Sequence, residues 1–275
     1  MPDIVVIPLL PNTSRMRYWA EYLPCNHVKS FDFADVGIAS WKRWCSQNNV
    51  RLEIASKLPL PEECCRSASQ IEILLAFPPT IQRWLLPPFF LRQHGPGTSV
   101  AMIDADTLIN PTSPSIFKQQ SSDLILTRCQ EWTAWNSRSC SAFTPLFPDM
   151  NLDPALYFNA GVMVHRTPLL ATSFIDFVLD NHDKLLKLLS ILDEPIGTDQ
   201  TPLNFLLQRL KKNTNLSISW LDSRWNAQMD ILLNKVTHDQ SKWADLAPRV
   251  ATENFISHFI GTKPLMASTE RFLRQ

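Results

Sequence analysis

The apolar run DIVVIPLL (3–10), closed by Pro11-Asn12, is short and β-rich, which predicts a buried first strand. Trp41 to Asn48 has helical spacing and VRLEIAS (50–56) alternates as a strand does, so the chain begins β, α, β. The stretch IEILLAFPPTIQRWLLPPFFLRQHGPG (71–97) is apolar but interrupted at three proline sites, which predicts helical pieces rather than one long element. Gly95 and Gly97 make a loop before a strand at SVAMID (99–104), and SSDLILTR (121–128) is the next strand candidate. Residues 129–154, rich in Trp, Ser, Pro and Asn, predict an irregular segment of the kind that is usually functional or mobile. From Thr167 to Leu192, positions 170, 174, 178, 185, 189 and 192 form one helical stripe, with Thr172 or Ser173 to cap it. Thr201-Pro202 offers an N-cap and first-turn pair for LNFLLQRLKK, whose two lysines suit the negative end of a helix. Strands alternate with helices throughout, which predicts an α/β fold with a mostly parallel central sheet, as one domain over 1–275.

Charge and cysteine usage narrow the function classes. Twenty-six basic and 26 acidic residues cancel, removing the broad electrostatic term on which nucleic-acid and membrane-surface binders depend. Met1 to Ile7 has no basic segment leading into an apolar one, and no run approaches the roughly 18 apolar residues of a membrane span. A soluble, cytoplasmic chain without a transmembrane segment is therefore expected. The six cysteines show neither paired CxxC spacing nor scaffold density, so buried, reduced thiols are expected, with Cys64-Cys65 the least typical.

The octapeptide MIDADTLI (102–109) carries the first chemistry. Side chains two apart on a strand share a face, so Asp104 and Asp106 converge if the strand persists, while Ala105 points away. Two carboxylates this close need a cation, a proton or solvent, and a parallel strand would deliver them to the ligand-binding carboxyl edge. Asn110-Pro111 just downstream is also turn chemistry in its own right, so a metal site and a plain acidic turn both remain open.

Three further stretches add to the pair. YFNAGVMV (157–164) sets Asn159, Ala160 and Gly161 ahead of a β-branched run, GTDQTPLN (197–204) sets Asp199 and Gln200 before a helix, and SHFIGTKP (257–264) gathers His258, Gly261 and Lys263. In this order, DAD (104–106), FNAGVMV (158–164), DQTPLN (199–204), RWN (224–226) and HFIGTKP (258–264) resemble the GT-A glycosyltransferases of family 8, the glycogenin and lipopolysaccharide galactosyltransferase group. The resemblance covers about residues 98–264. It departs at IPLLPNTS, which replaces the usual nucleotide-base loop, and at Leu265, where the family carries an aromatic residue.

The resemblance implies a GT-A, Rossmann-like fold and a metal-dependent, retaining transfer of a hexose from a nucleotide sugar, UDP-glucose or UDP-galactose by family habit. It implies Mn²⁺ or another divalent cation on Asp104, Asp106 and His258, because carboxylates plus one imidazole suit an octahedral ion that tolerates nitrogen. Lys263 and the Gly261 backbone then face the diphosphate, Arg83 reaches donor phosphate or sugar, and Ala105, Ala160 and Gly161 line the donor. Asn159, Asp199 and Gln200 fall where the family holds sugar hydroxyls and the anomeric face. Gln200 is a poor nucleophile, so front-side attack is expected rather than double displacement. Trp132 and Trp135 are placed either to stack on acceptor sugars or to anchor their loop. The acceptor, whether saccharide, lipid-linked or protein, is not specified. The competing readings are an inactive glycan- or nucleotide-binding protein of the same fold and a nucleotidyltransferase. The latter would want a Gly-rich loop near the first strand, and no glycine precedes Gly37.

Overall fold

Nine strands and eleven α-helices span the described residues of the computed structural model, 2–11, 32–129, 131–191 and 199–274. The strands are β1 (Asp3–Pro8), β2 (Arg51–Ala55), β3 (Ser99–Ile103), β4 (Thr107–Ile109), β5 (Leu124–Arg128), β6 (Phe158–His165), β7 (Ile218–Leu221), β8 (Ala227–Gln228) and β9 (Ile256–His258). The helices are α1 (Asp32–Asn48), α2 (Ala68–Leu75), α3 (Pro79–Gln82), α4 (Leu86–His94), α5 (Ala134–Phe143), α6 (Leu169–Asp180), α7 (His182–Ile191), α8 (Gln200–Asn213), α9 (Met229–Val236), α10 (Trp243–Thr252) and α11 (Met266–Leu273).

The central sheet runs β2-β1-β3-β6-β5-β7. Only β6 is antiparallel to its neighbours within it, so the expected mostly parallel sheet flanked by helices is what forms. β3 and β6 are buried at every position, which is why VAMI and VMV read as apolar runs instead of alternating ones, with Asn159 and His165 the buried polar positions of β6. A second sheet, β4-β9-β8, stands at the end of β3 and gathers the C-terminal third of the chain onto the site. Among the described residues no helix is long and apolar enough to cross a membrane.

Several elements differ from expectation, each for a local reason. The first described helix already includes Asp32, well ahead of Trp41, and packs Phe33 and Val36 against the Leu108–Phe259 cluster. The stretch 129–154 contains α5. Thr133 and Asn136 close a reciprocal cap, while Ser137 and Ser141 return their hydroxyls to carbonyls four residues back, so residues that read as loop are satisfied within the helix. The stripe from residue 167 is two helices separated at Asn181, whose side-chain amide donates to Phe177 O at 2.9 Å. Its cap position is Pro168, not Thr172 or Ser173, and Leu192 lies outside the described residues. The apolar positions are nonetheless the buried ones, Leu170, Phe174 and Val178 at 0 % exposure. Buried thiols are found only in part. The five described cysteines are free, but Cys65 is exposed and Cys129 and Cys140 are half-buried.

Candidate active site

The carboxylate pair lies in a turn rather than on one strand. β3 ends at Ile103, Asp104 to Asp106 turn the chain, and β4 starts at Thr107. The Thr107 hydroxyl closes the turn by donating to Asp104 O at 2.7 Å, and Trp41 Nε1 of α1 donates to that hydroxyl at 3.0 Å. Gly37 lets α1 lie against the turn, since a Cβ there would stand 2.4 Å from Ala105 O. Convergence of the two acids therefore comes from a supported turn, not from strand alternation.

Register brings the distant histidine to the pair. β4 and β9 pair antiparallel with Thr107 opposite His258, and Phe259 N donates to Asp106 O at 2.8 Å. His258 Nε2 then stands 3.2 Å from Asp106 Oδ1 and 3.7 Å from Asp104 Oδ2. Ligand atoms of Asp104, Asp106 and His258 all lie within 4.8 Å of one another. The ring is fixed from behind, because Nδ1 bonds Asn226 Oδ1 at 2.9 Å and Asn226 Nδ2 donates to Asn159 Oδ1, also at 2.9 Å. Asn159 Oδ1 accepts Gly161 N as well, at 2.8 Å. This relay makes Nδ1 the proton donor and presents Nε2 to the carboxylates, the usual way a ligating imidazole is oriented. Two oxygens and one nitrogen on a rigid frame fit a divalent cation.

The second half of the site hangs on Arg83. This buried guanidinium pairs with Asp104 and donates to Asp199 Oδ2 through Nε at 3.1 Å and Nη2 at 2.7 Å. Trp84 Nε1 donates to the same oxygen at 3.0 Å. α8 begins at Gln200 rather than after a Thr201 cap, with Asp199 at the cap position, yet Asp199 makes no side-chain cap bond and gives Oδ2 to Arg83 and Trp84. Gln200 Oε1 accepts from Ala160 N at 3.1 Å, and Asn204 ties α8 to β6 through both the N–H and the carbonyl of Phe158, at 2.8 and 3.0 Å. Lys263 Nζ reaches Asp106 Oδ2 at 3.4 Å and sits 4.9 Å over the Phe33 ring. Gly261 supplies an exposed turn at φ +67° between β9 and Lys263. Gly197 lies outside the described residues.

The charges in the site set one another. Burial pushes the Asp104 carboxyl up, against the opposing pull of Arg83 and His258. Burial also works upward on Asp106, but the His258 imidazolium and the Lys263 ammonium outweigh it and hold that carboxyl below its usual range. His258 loses basicity to burial and regains more from Asp106 and Asp104, so its net shift is upward. Asp104 and Asp199 likewise overcome burial and keep Arg83 charged.

The structure brings Arg83, Asp104, Asp106, Asn159, Asp199, Gln200, His258 and Lys263 together, with Ala105, Ala160 and Gly161 in the backbone between them, while Trp135 is half-buried in α5. Sequence reading missed Trp84, Asn204 and Asn226. The two asparagines lay inside DQTPLN and RWN, and their signal was a buried amide beside an expected ligand; nothing marked Trp84. Trp132 is 40 % exposed, donates to Ser137 Oγ at 2.8 Å and stands edge-on to Tyr157. The Tyr157 hydroxyl meets Thr201 Oγ1 at 2.7 Å, beside Gln200, which puts this tryptophan at the rim of the same edge.

No protein-family profile and no curated protein sequence matches this chain. Solved structures do. Mouse xyloside xylosyltransferase 1 is 10% identical with a TM-score of 0.50, over 96% of this chain and 99% of that one. A glycosyltransferase involved in glycosylation of the major capsid of PBCV-1 is 11% identical over 99% of both chains, TM-score 0.48. The galactosyltransferase LgtC is 13% identical over 98% of this chain and 95% of its own, TM-score 0.47. The xylosyltransferase likeness shows a shared fold, the GT-A arrangement.

Proposed function

We propose that this protein is a glycosyltransferase that moves a hexose from a nucleotide sugar to an acceptor with retention at the anomeric carbon, using a divalent cation held by Asp104, Asp106 and His258. The observation that carries the reading is the convergence of that trio with the Arg83–Asp199 clamp and Gln200 on one sheet edge. When bound, the ion supplies Lewis-acid neutralisation of the departing diphosphate, and Mn²⁺ is the first ion to test.

The chain's own groups divide the remaining work. Lys263 brings a second positive charge to the leaving group, and Arg83 holds Asp104 and Asp199 at fixed separation. Asp199 Oδ1, without a hydrogen-bond partner among the described residues, accepts from sugar hydroxyls while Oδ2 is occupied by three N–H groups, which leaves it a weak nucleophile. Gln200, neutral and bonded to Ala160 N, is weaker still. Front-side attack follows, with the leaving phosphate taking the acceptor's proton, and Trp132 borders the acceptor side. UDP-glucose and UDP-galactose are the donors we assign.

The test is cation-dependent release of nucleoside diphosphate from a panel of nucleotide sugars, with Asp106→Asn as control. Release that requires Mn²⁺ and falls by about a hundredfold or more in the variant is expected. Absence of release with every donor, or release undiminished by Asp106→Asn, overturns the reading. Trapping a covalent glycosyl group on Asp199 overturns the front-side mechanism.

A further inference from the structure

A cavity of about 710 Å³ lies at the other end of β3 and β6 from the carboxylates, where Thr98 precedes β3 and Arg166 follows β6. Its apolar wall includes Leu85 and Ile175, and three guanidinium groups, Arg66, Arg92 and Arg166, line it against the single carboxylate of Asp176. Arg66 pairs with Asp176. Arg166 is held by neutral acceptors, Ser99 Oγ at 3.2 Å, Ser122 O at 2.9 Å and Phe117 O at 2.7 Å. Arg92 donates to the carbonyl of Glu63 and to the thiol of Cys65. Neither Arg92 nor Arg166 forms an ion pair among the described residues. Thr98, 1% exposed and in the same wall, has a hydroxyl without a partner among them.

We propose that this cavity binds an organic anion, a small molecule with a carboxylate or phosphate head on an apolar body. The volume is that of a small-molecule site. The Arg166 charge also acts on Asp123, a carboxylate outside the cavity lining that is itself bonded to Ser217, but guanidinium groups fixed by neutral acceptors keep N–H donors for an anionic head, and such charge-assisted pairs are the strong ones. The apolar wall takes the body. The site is separate from the carboxylate edge, so its occupant and a nucleotide sugar do not compete for space.

Cys65 is the built-in reporter, an exposed free thiol beside Arg92. Phenyl phosphate and benzoate are the probes, with benzyl alcohol as the neutral analogue, and the readout is alkylation of Cys65 by iodoacetamide, mapped by mass spectrometry on the full chain. One of the two anions should slow alkylation saturably, with half-effect near about 1 mM, and the one that does identifies the head group. Arg92→Gln should raise that half-effect concentration about tenfold. Because this substitution also touches the thiol, calorimetric titration of Cys65→Ser with and without Arg92→Gln repeats the comparison with no thiol present. No saturable effect from either anion, equal protection by benzyl alcohol, or affinity unmoved by Arg92→Gln overturns the proposal. So does loss of binding in Asp106→Asn, which would place the anion at the carboxylate edge.

Discussion

Gly161→Ala puts the geometry of the trio under direct strain. An alanine Cβ would lie 2.3 Å from His258 Cε1 and 2.7 Å from Nδ1, where non-bonded carbons keep roughly 3.5–4.0 Å. The ring must therefore move by about 1 Å or more, and Asn226, bonded to Nδ1 at 2.9 Å, blocks its retreat. The strand cannot retreat either, because Gly161 O accepts Asp104 N at 2.9 Å and holds the acidic turn in place. Overpacking of this kind costs about 1–3 kcal/mol, and the lost imidazole–amide bond about 1 kcal/mol more. For a chain of this size that is a fall of roughly 3–7 °C in the melting midpoint. A misaimed imidazole should also weaken Mn²⁺ binding about 10- to 100-fold. Differential scanning calorimetry with and without Mn²⁺ reads the first effect, and isothermal titration reads the second. A variant that melts within about 1 °C of the parent, or binds Mn²⁺ within about twofold, would refute the steric and orienting argument respectively.

Asp199→Ala should destabilise the protein by about 3–5 kcal/mol in urea denaturation, by leaving the buried Arg83 charge half-compensated; Arg83→Met combined with it should cost less than the two changes summed. His258 is raised above its unfolded value, so the ion-free protein gains stability from the charged ring that is fully present below about pH 6.5 and is lost as pH rises through the folded value. Mn²⁺ must displace that proton, so affinity measured by titration should climb with pH to a plateau above the ordinary imidazole range; a flat profile would count against His258 as a ligand. His165 behaves oppositely. Buried beside Trp84, its ring is pushed down to about 3, so the unfolded chain binds the extra proton and stability should fall with pH by up to about 1.4 kcal/mol per unit between about 6.5 and 3. His165→Leu should remove that slope. Gly37→Ala should lower the melting midpoint and the Mn²⁺ affinity together, since its Cβ would meet Ala105 O at 2.4 Å and push α1 away from the acidic turn.

Sheet architecture was legible in the chain because buried strands leave an unbroken apolar signature. SVAMI declares β3 without any tertiary information, whereas β6 begins at Phe158, ahead of the β-branched run that marks it, and takes in Asn159, Ala160 and Gly161. Helix boundaries were less legible where side chains outside the window decide them. α5 rests on the Thr133–Asn136 cap and on serines turned back to the backbone, so its composition reads as loop until those bonds are seen. The break at Asn181 interrupts neither the apolar period nor the burial of Leu185 and Leu189, so periodicity passes straight through it. The candidate ligands Asp104, Asp106 and His258 could be named from motifs, but what brings them together could not. It lies in the β4–β9 register, a pairing between segments far apart in sequence.

Electrostatics explains why so polar a site is tolerated in a buried edge. Asp104, Asp106 and Asp199 would repel one another if left alone, and each has a positive partner: Arg83 for Asp104 and Asp199, His258 and Lys263 for Asp106. The ion-free site is therefore close to neutral as it stands. If Asp104, Asp106 and His258 hold a cation, His258 would have to give up its proton, Arg83 its hold on Asp104 and Lys263 its hold on Asp106. Arg83 and Lys263 would then be free to face an accompanying anion, so binding of a cation and of a diphosphate should be mutually reinforcing. A rigid salt-bridge cluster that served only the fold would show no such coupling, because its cations would have nowhere favourable to go.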